Sequence, residues 1–167
     1  MATLAGQGAW TILVRLLLGG VFFPEGIQKL IFPDILGAGR FVGIGIPFPE
    51  FTGPLVGWFE LICGLLILLG LFSRLAAIPL IVIMIVAIVS TKIPVFLGED
   101  WWIFHLHKLD RYGFWSFLHE TRADWAMLLG ALFMLLSGGG RWSLDDRVFA
   151  SGTGAVDAGT DGRSTNP

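Results

Sequence analysis

Arg15, Glu25 and Lys29 stand inside one apolar run of the sequence, and Glu60 stands inside the next. A charged side chain at the centre of a membrane helix costs about 2.5 to 3.5 kcal/mol on insertion scales, so such residues face a bundle interior and find partners there. At 100° per residue, Arg15, Gly19, Phe22, Gly26 and Lys29 share one helix face, small residues alternating with charges. Glu25 and Lys29 are one turn apart and can pair. Glu60 has Gly57 and Gly64 flanking its face; left unpaired there it would be protonated, and kept charged it needs a cation from another helix, for which Arg15 and Lys29 are the partners of the right type. Such a cluster has a purely structural use, knitting helices together. It has a chemical one as well, since Glu60 with Lys29 or Arg15 would handle protons or hold an anion at membrane depth.

The histidines offer a second, weaker set. His105 and His107 flank Leu106, and His119 lies near the start of a later apolar run. None of the three falls clearly inside a helix as a haem ligand would, and convergent metal ligands are lacking, so no metal site is expected. Among interfacial tryptophans a histidine can bond a quinone carbonyl or shuttle a proton, which makes His105 and His107, with Glu25, the candidate quinone contacts. Cys63 is the single cysteine, embedded in LICGLL, and reads as a small apolar residue with no disulfide to form.

The elements that must position these groups follow from composition. Of 167 residues 54% are hydrophobic and 14% charged, against about 25% charged in soluble domains. The expectation is an all-α integral membrane protein, a four-helix bundle of about 10–32, 53–72, 75–96 and 117–138, each run judged against the ~20 residues that cross a bilayer. Only Ser73 and Arg74 are strongly polar between the second and third runs, so these form a tight antiparallel hairpin. Residues 33–52, rich in Gly and Pro, read as a partly apolar loop. Residues 98–122, with Trp101, Trp102, Tyr112 and Trp115, form an interfacial aromatic segment between the third and fourth helices. One domain, 1–147, is followed by a polar tail, 148–167, expected to be disordered. The start MATLAGQGAW lacks a basic n-region and reads as leading into a retained helix. Formal charge is −2, which gives no footprint for nucleic acid. Lys and Arg divide between both sides and leave orientation open.

The strings RLLLGGVFFPEGIQKL, GWFELICGLLILLGLFSRLAA and ETRADWAMLLGALFMLLSGGGRWSLDD together closely resemble the DoxX family of small four-helix membrane proteins. Arg15, Gly19, Gly26 and Lys29 match its first-helix pattern, Glu60, Gly64, Gly70 and Arg74 its second helix and turn, and Arg141, Trp142, Ser143, Leu144 and Asp145 its closing signature. The resemblance implies a multi-pass protein of a prokaryotic plasma membrane. Named members include a thiosulfate:quinone oxidoreductase subunit and a component of an oxidative-stress complex; distant relatives are chaperones or receptors.

Function transfers less surely than fold. The sequence carries no flavin, haem or iron–sulfur motif, so electron transfer needs a partner subunit or a bound quinone, and no cofactor is intrinsic. The leading expectation is a membrane subunit of a quinone-linked oxidoreductase in sulfur, thiol or oxidative-stress metabolism, working in the bilayer with a partner protein or a second copy. The alternatives are a non-enzymatic scaffold, chaperone or assembly factor, and a small proton or anion transporter.

Overall fold

The computed structural model describes residues 10–140, 143 and 144, and among them the regular structure is helical throughout. Helix α1 is Thr11–Ile31, α2 Ala38–Ile44, α3 Pro49–Leu69 and α4 Ser73–Ala87. A π-helical turn, Ile88–Lys92, carries α4 into α5, Ile93–Leu97, and α6 is Phe114–Ser137. Among the described residues three stretches are long and apolar enough to cross a membrane: Thr11–Ile31, Pro49–Leu69 and the continuous Ser73–Leu97. At 1.5 Å per residue, 21 residues reach about 32 Å, the thickness of the hydrocarbon layer.

The segment expected as a loop between the first two spans is largely helical. Residues Ala38–Ile44 form α2, closed by Gly45 at φ 89°, and α3 begins at Pro49 rather than near residue 53. The reason is local: proline suits the first turn of a helix, where its missing N–H is not needed, so a Pro-rich stretch can start a helix as well as interrupt one. The fourth helix also starts earlier than 117, directly after Gly113.

The π turn arises where two features weaken the normal ladder. Thr91 Oγ1 and Ser90 Oγ both donate to the Ala87 carbonyl, at 2.6 and 3.4 Å, and Pro94 has no N–H to return to Ser90. Such single-turn insertions rotate the following side chains relative to the helix before them. Lys92 is the last residue of this turn.

The expected hairpin is present, with Gly70, Leu71 and Phe72 linking α3 to α4. Gly70 adopts the left-handed conformation at φ 68°, and its N–H and that of Leu71 bond the carbonyls of Ile67 and Leu66. Yet each hairpin helix packs more extensively elsewhere, α3 on α1 and α4 on α6. The α1–α3 contact is a glycine seam. A methyl added at Gly26 would sit 2.6 Å from the Gly57 carbonyl oxygen, and one at Gly64 would sit 2.7 Å from the Phe23 nitrogen, so the backbones touch. Close backbone approach of this kind is the main source of helix association where lipid removes the hydrophobic drive.

The end of the bundle holding the α3–α4 turn is closed. Leu18, Ile67, Ala77, Leu80, Ala131 and Met134 are buried there in one cluster. Thr11 Oγ1 donates to the Gly139 carbonyl at 3.2 Å, which brings the start of α1 beside the segment after α6. Arg15, buried in the same region, donates from Nε to the Ile67 carbonyl at 3.0 Å and from Nη2 to Leu68 at 2.7 Å. These are carbonyls of the last turn of α3, where the helical ladder runs out; the Ile67 oxygen accepts from the Gly70 N–H as well. Arg74 Nη2 likewise bonds the Leu136 carbonyl near the end of α6, at 3.2 Å. The closing-signature residues Arg141, Trp142 and Asp145, and the tail 148–167, lie outside the described residues.

Candidate functional site

The opposite end of the bundle is open. A cavity of about 640 Å³ lies between α1, α3, α4 and the first half of α6, with α2 against its rim. Its walls are mostly apolar, Val21, Phe22, Phe59, Val82, Ile83 and Met127 among them. Volume and lining are those of a site for a small organic ligand, for which about 300 to 1,000 Å³ is usual.

Two ionic clusters open onto this space. The first joins α1 to α3: Lys29 Nζ donates to Glu60 Oε2 at 2.6 Å and to Glu25 Oε2 at 3.3 Å. The Glu60 and Lys29 side chains are only 4% and 10% exposed, while Glu25 is 46% exposed, so the cluster runs from a buried carboxylate to an accessible one. The glycine seam explains the closeness. The two helices run antiparallel, so Lys29 stands beside Gly57, where an added methyl would lie 3.3 Å from the lysine Cβ, and reaches the carboxylate one turn along α3. The partner of Glu60 is thus Lys29, whereas Arg15 serves the far end of α3.

The second cluster joins the π turn to α6. Lys92 Nζ lies 3.5 Å from Asp124 Oδ2 and 3.7 Å from Glu120 Oε2. Lys92 and Asp124 line the same cavity as Lys29, Glu25 and Glu60, with Arg40 from α2. Nothing in the sequence reading assigned Lys92, Glu120, Asp124 or Arg40 to the site. A signal existed: Glu120 and Asp124 are one turn apart at the head of an apolar run, the same arrangement that marked Glu25 and Lys29.

The histidines are elsewhere. His105, His107 and His119 are exposed and none lines the cavity. His105 instead belongs to a clip in the aromatic segment, its Nδ1 3.2 Å from Asp100 Oδ2, while the Leu106 N–H donates to Asp100 Oδ1 at 2.7 Å. That backbone donor, with the imidazole beside it, holds the Asp100 carboxyl below the usual carboxylate range. The His105 N–H also bonds the Ile44 carbonyl at 2.8 Å, tying the segment to α2. Of the three candidate quinone contacts, Glu25 alone faces the cavity.

Apolar spans, a glycine-seamed helix pair and buried charges around a cavity define a small helical membrane protein with an internal polar site. The chain belongs to the DoxX family, whose family model, described as DoxX, matches residues 10–93. It is 49% identical over 142 residues to the uncharacterized membrane protein Rv3486 of Mycobacterium tuberculosis, across 82% of this chain and 80% of that one. It is 27% identical over 139 residues to the Bacillus subtilis protein named "Putative oxidoreductase CatD", across 83% of this chain and 87% of that one. No solved structure matches the chain.

Proposed function

We propose that the chain is the membrane subunit of a quinone-linked oxidoreductase, with the head of a quinone held in the cavity against Lys29. In this reading α6 is a fourth crossing, the aromatic segment lies at the headgroup level, and the membrane is a prokaryotic plasma membrane. The observation that carries the proposal is the Lys29–Glu60 pair at the wall of an apolar cavity. An ammonium buried among apolar walls is a donor for a carbonyl oxygen, and the apolar residues around it suit a ring and tail. The similarity to a protein named as an oxidoreductase supports the same class of activity.

A quinone supplies two-electron acceptor chemistry that the chain's own side chains lack. The chain's residues bind and orient the head and handle protons. Lys29 donates a hydrogen bond; Glu60 fixes Lys29 in place; Glu25, about half exposed, is the accessible end of the cluster. Electrons come from a partner subunit acting on a sulfur compound or thiol.

Gly19, Gly26, Gly57 and Gly64, the glycines that would suit a docking scaffold, pack within the molecule in the α1–α3 seam. Quinone-linked activity in membranes tests the proposal. Glu60→Gln and Lys29→Met should each reduce it by about 10- to 100-fold, the loss of one charge-assisted hydrogen bond in a buried site. Full activity in both variants would remove the site.

A further inference from the structure

Lys92 is the cavity's unexplained donor. Its ammonium stands 3.5 and 3.7 Å from its two carboxylates, too far for hydrogen bonds, and Asp124 Oδ2 is buried without a hydrogen bond among the described residues. Lys29, by contrast, lies at 2.6 Å from Glu60. An ammonium has three N–H groups to satisfy, and in an apolar cavity no lipid chain satisfies them. The π turn that ends at Lys92 interrupts an otherwise regular span, a disruption that recurs at functional sites.

Charge then limits what fills the gap. The wall carries Lys29, Arg40 and Lys92 against Glu25, Glu60 and Asp124, with Glu120 beyond Asp124 as a further anion beside Lys92. Each lysine stands with two carboxylates. A small sulfur oxyanion meets no net positive field, whereas a neutral head with hydrogen-bond acceptors satisfies the lysines without adding charge.

We infer that Lys92 is a second ligand-binding donor and that the cavity recognises a neutral ring carrying two separate carbonyl oxygens, one directed to Lys29 and one to Lys92. This rests on the quinone reading and narrows it to a dione read at both ends. It assigns Asp124 and Glu120 as the residues that position Lys92, as Glu60 and Glu25 position Lys29.

The test is a binding titration of the purified full chain in lipid nanodiscs with two probes. One is a benzoquinone bearing a decyl chain, the other a cyclic ketone with the same chain and a single carbonyl. Wild type should bind the quinone roughly tenfold or more tightly than the ketone, the worth of one hydrogen bond to a charged donor. Lys92→Met should abolish that difference by weakening the quinone alone; its unchanged ketone affinity would show that the cavity is intact. Lys92→Arg, which keeps a donor, should retain part of the preference. Equal wild-type affinity for the two probes overturns the inference, as does undiminished quinone affinity in Lys92→Met or equal loss of both probes. If wild type binds neither probe, the quinone reading itself fails.

Discussion

Lys29 on α1 and Glu60 on α3 meet at 2.6 Å on the wall of the cavity, and they can do so because Gly26 and Gly57 bring the two backbones into contact. One pair therefore links the packing of the first two spans to the polar site.

Removing one member of that pair should cost more than removing both. Glu60→Met leaves Lys29 with only the accessible Glu25 and should destabilise the protein by about 3 kcal/mol, as expected for a buried charge left short of its partner. The double replacement Lys29→Met with Glu60→Met should recover most of that loss, with quinone binding still weakened. Thermal unfolding in mild detergent reads the first effect and a quinone titration the second. Additive destabilisation in the double variant would show that the two residues are not coupled.

The glycine seam makes a sharper contrast. Gly26→Ala places a methyl 2.6 Å from the Gly57 carbonyl oxygen and 2.8 Å from the Leu61 Cα, both backbone, so the helices must part. A loss of about 1 to 3 kcal/mol is expected. Gly20, six residues earlier on the same helix, has nothing within 4 Å of an added methyl, and Gly20→Ala should be neutral or stabilising by about 0.5 to 1 kcal/mol. Melting temperatures of the two variants decide the matter; equal effects would deny the seam.

Much of this architecture was legible in the residues alone. The alternation of Arg15, Gly19, Gly26 and Lys29 located the inward face of α1, and the scarcity of polar residues at Ser73 and Arg74 located the turn. What could not be read was which charge met which. Arg15 and Lys29 share a helix face but lie about four turns apart, roughly 21 Å along the axis, and only the register of α3 against α1 decides which of them reaches Glu60. Lys92 was hidden for a different reason. It closes a π turn, and a helical wheel built on 3.6 residues per turn misplaces the residues within and after such an insertion.

Arg15 should prove a structural residue. Two of its three guanidinium nitrogens, Nε and Nη2, take carbonyls of the last turn of α3, Ile67 and Leu68, a geometry that a single ammonium does not reproduce. Arg15→Lys should lower stability by about 1.5 to 3 kcal/mol. Quinone affinity of the folded fraction should be unchanged, since Arg15 does not line the cavity. A selective loss of binding at full stability would contradict this assignment.

The Asp100 clip gives a pH dependence with a definite sign. Its carboxyl is held below the usual range by the Leu106 N–H first and by His105 second. A carboxyl with a lowered folded value stabilises its loop above the unfolded value of ~3.9 and loses that stabilisation as pH falls through the folded one. Amide protection at Leu106, corrected for intrinsic exchange, should be flat from about pH 5 to 8 and fall only in stronger acid. Asp100→Asn should weaken it at every pH. Protection that is already lost near pH 6, or that is unchanged in Asp100→Asn, would contradict control of the clip by the Asp100 carboxylate.

The most direct measurement is the equilibrium affinity of a decyl-substituted benzoquinone for the purified chain in lipid nanodiscs, compared between wild type and Lys29→Met with stability measured in parallel. Saturable binding to wild type that weakens by at least about tenfold in Lys29→Met, and stays weakened in the restabilised Lys29→Met, Glu60→Met double variant, is the result expected if the cavity is a quinone site built around Lys29. Binding that is absent in wild type, or indifferent to Lys29, would contradict it.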